Sequence, residues 1–183
     1  MLMEFDKAAL MVIDVQEKLI PAIDHGERLS ARIQWLISAC QALGTPILFT
    51  EQYPRGLGHT QGALTVLVDQ PEVVEKMHFS VVAADCLPAH WQHYPQVIVC
   101  GMETHVCVLQ TVMDLLKAGK EVFVVADAVG SRTEENRQLG LARMRDAGAR
   151  IVSREMVVFE LLHRAGTEQF RTISKQFLVG EQP

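Results

Sequence analysis

Three residues of matched chemistry stand far apart in the chain: Asp14, Lys76 and Cys107. A thiol attacks as its thiolate, a carboxylate can take its proton, and a nearby ammonium favours the charged sulfur. Each position carries two readings. Asp14 directly follows the apolar run AALMVI; it either caps the next loop or serves a site, because a buried carboxylate needs a partner. Lys76 closes VVEK and is either a solvated surface group or a cation brought back to the same rim. Cys107, in VCGMETHVCVLQ, falls in the first turn of a predicted helix. Free backbone N–H groups there favour a thiolate and can hold an oxyanion. The other reading is a small core residue packed on the sheet. Thr104 is the predicted N-cap of that helix. His105 is two residues from Cys107 and shares no helical face with it, so it is placed at the rim. Glu103 is close enough to add a polar group to a pocket.

The elements that must position these residues alternate in type. AALMVI (8–13), PILFT (46–50), VVEK (73–76), VIVC (97–100), EVFVVA (121–126) and ARIVS (149–153) read as strands. Between them lie predicted helices at 27–43, 105–118 and 134–147, followed by 156–163 and 167–176. In the first of these, Leu29, Ile33, Leu36, Cys40 and Leu43 recur at spacings of four and three, one face of a helix. Gly44 suits its C-terminal cap, and Pro46 prevents its continuation. Residues 51–70, with Pro54, Gly56, Gly58 and Gly62, read as a long loop, and 83–93 as partly helix or turn. This order predicts an α/β sandwich with a mostly parallel sheet and helices on both faces. No linker divides the chain, so a single domain over 1–183 is expected. Ligands of such sheets bind beyond the carboxyl ends of the strands, where the strand order reverses.

Composition excludes several function classes. Lysine plus arginine total 17 against 22 aspartate plus glutamate, a formal net charge of -5. With no dense basic run, nucleic-acid binding is not expected. The longest apolar runs are too short to cross a bilayer, so no membrane partner is expected. The acids in MLMEFDKAALMVID do not fit a secretory signal. Four cysteines, Cys40, Cys86, Cys100 and Cys107, show no CxxC spacing and predict a reducing cytoplasm. Cys40 and Cys100 read as inert core thiols. Seven histidines include no HExxH, and the spacing of His90 and His93 fits a surface turn as well as a ligand pair, so no metal is expected. Neither GxGxxG nor a P-loop sequence occurs, and no cofactor is expected. The apolar surplus, 49% hydrophobic residues, suggests a homo-oligomer as well as a core, with 83–95 (Trp91, Tyr94) and the last helices as contact surfaces.

Several stretches together resemble the isochorismatase-like cysteine hydrolase family: MVIDVQEKL (11–19), TEQYPRGLG (50–58), VVEKMHFS (73–80), VIVCGMETHVCVLQTVMDLLKAG (97–119) and VVADAVGSR (124–132). The resemblance covers roughly residues 5 to 165 and is closest to small isochorismatase-domain hydrolases with the TEQYP loop. It implies a three-layer α/β/α sandwich on a six-stranded sheet, and an Asp–Lys–Cys catalytic triad that maps to Asp14, Lys76 and Cys107. It also implies a cis peptide at Met102–Glu103 and an oxyanion hole from the N–H groups of Val106 and Cys107. Nicotinamidases of the family hold a metal through Asp-x-His where this chain reads EQYP (51–54), which argues against that activity. The expected chemistry is C–N cleavage of a small amide, ureide or imide through a cysteine thioester. Gln16, Tyr53, Phe79 and Glu103 are the expected substrate pocket. The alternatives are an ether- or ester-cleaving hydrolase and an idle family member acting as an interaction protein.

Overall fold

The strand AALMVI, β1 (Ala8–Ile13), is buried at every position. A run apolar on both faces must lie inside a sheet covered on both sides. The computed structural model describes residues 1–180, so the last three residues of the expected 1–183 domain lie outside the described residues. Among the described residues, β1 is joined by β2 (Ile47–Gln52), β3 (Glu72–Lys76), β4 (Gln96–Met102), β5 (Glu121–Gly130) and β6 (Arg150–Val152). They form one sheet in the order β3-β2-β1-β4-β5-β6, and every neighbouring pair is parallel. The chain runs outward from β1 through β2 to β3, then returns to β4 on the other side of β1. The strand order therefore reverses between β1 and β4.

Parallel neighbours need crossovers, and helices supply them. The helices are α1 (Gly26–Leu43), the single turns α2 (Pro54–Leu57) and α3 (Gly62–Thr65), α4 (Leu109–Lys117), α5 (Glu134–Asp146), α6 (Arg154–Leu162) and α7 (Glu168–Ile173). Alternate residues of β1 feed two cores. Ala8, Leu10 and Val12 pack with the α1 stripe Leu29, Ile33, Leu36 and Cys40, whereas Ala9, Met11 and Ile13 pack with Val108, Val112 and Leu115 around α4. Gly44, at φ 81, ends α1 with its N–H on the carbonyls of Cys40 and Gln41.

Four expectations are corrected. The 51–70 stretch is not all loop, because β2 runs on to Gln52 and α2 and α3 follow. Strand β5 extends past 126 to Gly130, pairing again with β4 after a register shift between Val99 and Gly101. The helix expected from 105 begins instead as a π-type turn, Thr104–Val108, which precedes α4. Trp91 is buried in the α4-side core, edge-on to Tyr94 at 5.9 Å, and offers no surface to a second copy. In addition, no helix of the described residues is long and apolar enough to cross a membrane.

Candidate active site

The reversal between β1 and β4 places polar groups where apolar strands run out. Asp14 takes a left-handed conformation, φ 52, and its N–H still reaches the Thr50 carbonyl at 3.1 Å. The peptide thus stays in register while the side chain turns across the strand ends. Its carboxylate is fully buried and saturated. Oδ1 accepts from the Thr50 hydroxyl at 2.7 Å, and Oδ2 accepts from Lys76 Nζ at 2.7 Å. Lys76 ends the edge strand β3, paired with Gln52, and donates also to Gln52 Oε1 at 2.8 Å. Neither side chain of this ion pair has any solvent-exposed surface. A buried pair of this kind is held only where further hydrogen bonds satisfy it, and Thr50 and Gln52 provide them.

Cys107 completes the cluster from β4. Gly101, at φ 136, lets β4 press against β1; a Cβ there would lie 2.1 Å from the Ile13 carbonyl oxygen. That approach swings the next residues over Asp14. Across the turn, Gly140 of α5 packs on its backbone, where an added Cβ would lie 3.1 Å from the Thr104 carbonyl oxygen. Cys107 is buried, and its thiol lies close enough to Asp14 and Lys76 to feel both charges. Its pKa lies well above the ordinary thiol value. Burial is the main cause and the Asp14 charge adds to it, while Lys76 pulls the other way. The expected helix-end thiolate is therefore corrected. Cys107 sits inside the π turn, where burial favours the protonated thiol.

Three further expectations are corrected at this turn. No peptide bond among the described residues is cis; instead of a cis Met102–Glu103 bond, Glu103 turns the chain at φ 56. Thr104 makes no cap, and its buried hydroxyl lacks a hydrogen-bond partner. The Val106 N–H donates to the Glu103 carbonyl at 2.9 Å, so it is not presented beside the Cys107 N–H as an oxyanion donor. His105 turns away from the sulfur, with Nδ1 3.0 Å from Ser131 Oγ.

The expected pocket residues divide. Gln16 is fully buried, and both ends of its amide are used within the chain. Nε2 donates to the carbonyls of Gln52 at 3.1 Å and Gly58 at 2.6 Å, and Oε1 accepts from the Gln52 N–H at 2.8 Å. Gln16 is a clamp on the 51–62 segment rather than a substrate contact. The same segment is tied down by Glu51, whose carboxylate accepts from the Thr60 N–H at 2.6 Å and lies 3.0 Å from His59 Nδ1. Burial alone would raise the Glu51 pKa, but these bonds outweigh it and hold it low. Tyr53 (47% exposed) and Phe79 (49%) stay near the rim, on the residues after β2 and β3. Glu103 is buried, with Oε1 accepting from Arg132 Nε at 2.6 Å. A cavity of about 240 Å³ borders the site along Pro54, Glu75, Lys76 and Met77. A separate arginine-containing cleft between α1 and β5 has no part in the cluster.

Sequence reasoning missed Thr50, Gln52, Gly101 and Arg132. The signal for the first two is the alternation of β2: Thr50 and Gln52 are polar, two apart, and end a buried strand. Among the described residues no group of three or more His, Cys, Asp or Glu side chains is arranged to hold a metal ion.

An all-parallel α/β/α sheet with this cluster at its reversal point defines an isochorismatase-like hydrolase. The chain belongs to the isochorismatase family, whose domain matches residues 8–156. It is 39% identical over 180 residues to the secreted isochorismatase effector Isc1 of Phytophthora sojae, covering 92% of this chain and 83% of that protein. It is 37% identical over 171 residues to isochorismatase domain-containing protein 2A of Mus musculus, covering 93% and 82%. Among solved structures, the MAR1 ribonuclease of Caenorhabditis elegans superposes with a TM-score of 0.92 at 33% identity, over 100% of this chain and 95% of that one.

Proposed function

We propose that this chain is a cysteine hydrolase that cleaves a C–N bond of a small amide, ureide or imide through a thioester on Cys107. The observation that carries the reading is the buried ion pair of Lys76 and Asp14 beside the Cys107 thiol, which feels both charges. With the resting sulfur protonated, proton transfer to Asp14 accompanies attack. The sulfur bonds to the carbonyl carbon, the π electrons move to oxygen, and the Cys107 N–H faces the new oxyanion. When the C–N bond breaks, Asp14 returns the proton to nitrogen. Asp14 then takes a proton from water as the water's oxygen attacks the thioester. The carboxylic acid leaves, and the sulfur regains its proton. The net change is amide plus water to acid plus amine. Lys76 stays charged throughout and lowers the cost of the developing thiolate.

Four free cysteines fit a reducing cytoplasm, and the exposed Met77 and Phe79 beside the site fit coverage by a second copy. The ribonuclease title of the C. elegans relative belongs to that protein. With a formal charge of -5 and no basic run, this chain lacks the footprint a polyanion needs. A second reading, that of an idle scaffold, is favoured by the burial of Cys107, which raises the pKa of its thiol and disfavours the reactive thiolate. A panel of small amides, ureides and imides, with intact-mass detection of acid-quenched acyl-enzyme, separates the two. The expected result is turnover and a Cys107 adduct, both lost in Cys107→Ala. Turnover retained in Cys107→Ala overturns the covalent mechanism.

A further inference from the structure

Glu103 is the last residue before the nucleophile turn, and its side chain is only 6% exposed. One carboxylate oxygen is used, Oε1 accepting from Arg132 Nε at 2.6 Å. The other, Oε2, is buried and has no hydrogen-bond partner. His105 Nδ1 stands 3.6 Å from it, beyond hydrogen-bond length, and lies closer to Ser131 Oγ at 3.0 Å. Arg132 is two-thirds exposed and so shares its charge with water. A buried carboxylate oxygen without a donor is uncommon and calls for an explanation in a ligand or a bound water. The Glu103 charge is also felt at Cys107, where it helps keep the thiol protonated. Nucleophile and orphan oxygen therefore share one electrostatic neighbourhood on a single turn.

We infer that Glu103 Oε2 is a specificity determinant that receives an N–H group of the substrate while its carbonyl lies at Cys107. This rests on the hydrolase reading and deepens it. The substrates are neutral or cationic molecules with an unsubstituted amide, ureide or ammonium nitrogen near the scissile carbonyl. A carboxylate in the same place is rejected, because two like charges in a desolvated pocket repel strongly.

The test uses two reagents of nearly one shape. Iodoacetamide carries an –NH₂ where iodoacetate carries a negative oxygen. Their labelling rates at Cys107 are read by peptide mass spectrometry and divided by the rates on free glutathione, and Cys86 serves as an internal control. The wild-type protein should favour iodoacetamide by at least about tenfold beyond the glutathione ratio, because a unit charge a few ångströms away counts for more in partly desolvated surroundings than in water. In Glu103→Gln, whose side-chain oxygen can still accept from Arg132, that preference should fall to near the glutathione ratio. In Arg132→Gln, which keeps the carboxylate and removes its counter-charge, it should hold or rise. A merely structural role would change overall rates, not this ratio. The same comparison with cationic 2-aminoethyl methanethiosulfonate tells an ammonium-selecting site, where it outpaces iodoacetamide, from an amide-selecting one. An unchanged ratio in Glu103→Gln with Cys107 still labelled overturns this inference alone. A Cys107 that no reagent labels in the folded protein overturns the hydrolase reading and this inference with it.

Discussion

Deleting the Lys76 ammonium would leave the buried Asp14 carboxylate with the Thr50 hydroxyl as its remaining side-chain donor. Breaking one side of a buried ion pair costs about 3–5 kcal/mol, whereas replacing both partners costs far less. The expected outcome is that Lys76→Met destabilises the fold by that amount, and that Lys76→Met with Asp14→Asn recovers part of it. Urea unfolding of the four proteins of the double-mutant cycle measures the coupling, and costs that simply add would show the pair to be unlinked. At this scale the sequence was informative about position and misleading about state. A carboxylate after a buried strand, a lysine ending another and a cysteine after a third are visible in residue types. Whether the sulfur is thiol or thiolate depends on burial and on the distance of Asp14, which no local spacing reports. Gln16 shows the same limit, since polarity marked it as a site residue and only tertiary contacts reveal it as a clamp.

Between residues and fold, the β4–α4 turn decides whether the cluster exists. Gly101 combines a φ of 136 with backbone contact on β1, so a methyl group there meets both strain and a carbonyl oxygen that cannot move without parting two strands. Gly101→Ala should destabilise the protein by at least about 2 kcal/mol, more than the usual penalty for alanine at positive φ. It should also slow Cys107 labelling, because the turn carrying the sulfur is displaced from Asp14. Thermal unfolding and alkylation rates on one preparation check both parts, and a variant as stable as its parent would show that the strands can part there at little cost. Strands β1, β2 and β4 were legible because continuous apolar runs leave few other readings. The second half of β5 was not. Its carbonyls at Ala126 and Val129 are satisfied by the Arg137 guanidinium from α5, a contact that periodicity does not encode. The π turn likewise has no local signature; it lies where Gly140 of α5 packs on the backbone of Thr104 and His105.

The whole molecule carries its cysteines in both layers of its core, Cys40 on α1 and Cys100 on β4 in one layer and Cys107 against α4 in the other. Burial pushes the Cys40 thiol up to about 12 from an ordinary 9.0, and Cys100 and Cys107 move the same way. The sign follows from linkage. Below pH 9 folded and unfolded chains both keep these protons. Above it only the unfolded chain releases them, so the stability present below the unfolded value is lost as pH rises toward the folded one. Each fully buried thiol contributes a loss of up to ~1.4 kcal/mol per pH unit in that window. Lysine and tyrosine titrate there too, so the comparison must cancel them. Cys40→Ala keeps every other group and removes one buried proton. At pH 8 it should be less stable than the parent, through lost packing. Between pH 9 and 10.5 the gap should shrink by about 1–2 kcal/mol, because only the parent still has a thiol to ionise on unfolding. Urea midpoints at half-unit intervals measure the gap directly. A constant gap across the range would mean that the core around Cys40 opens to water far more readily than its full burial on the inner face of α1 implies.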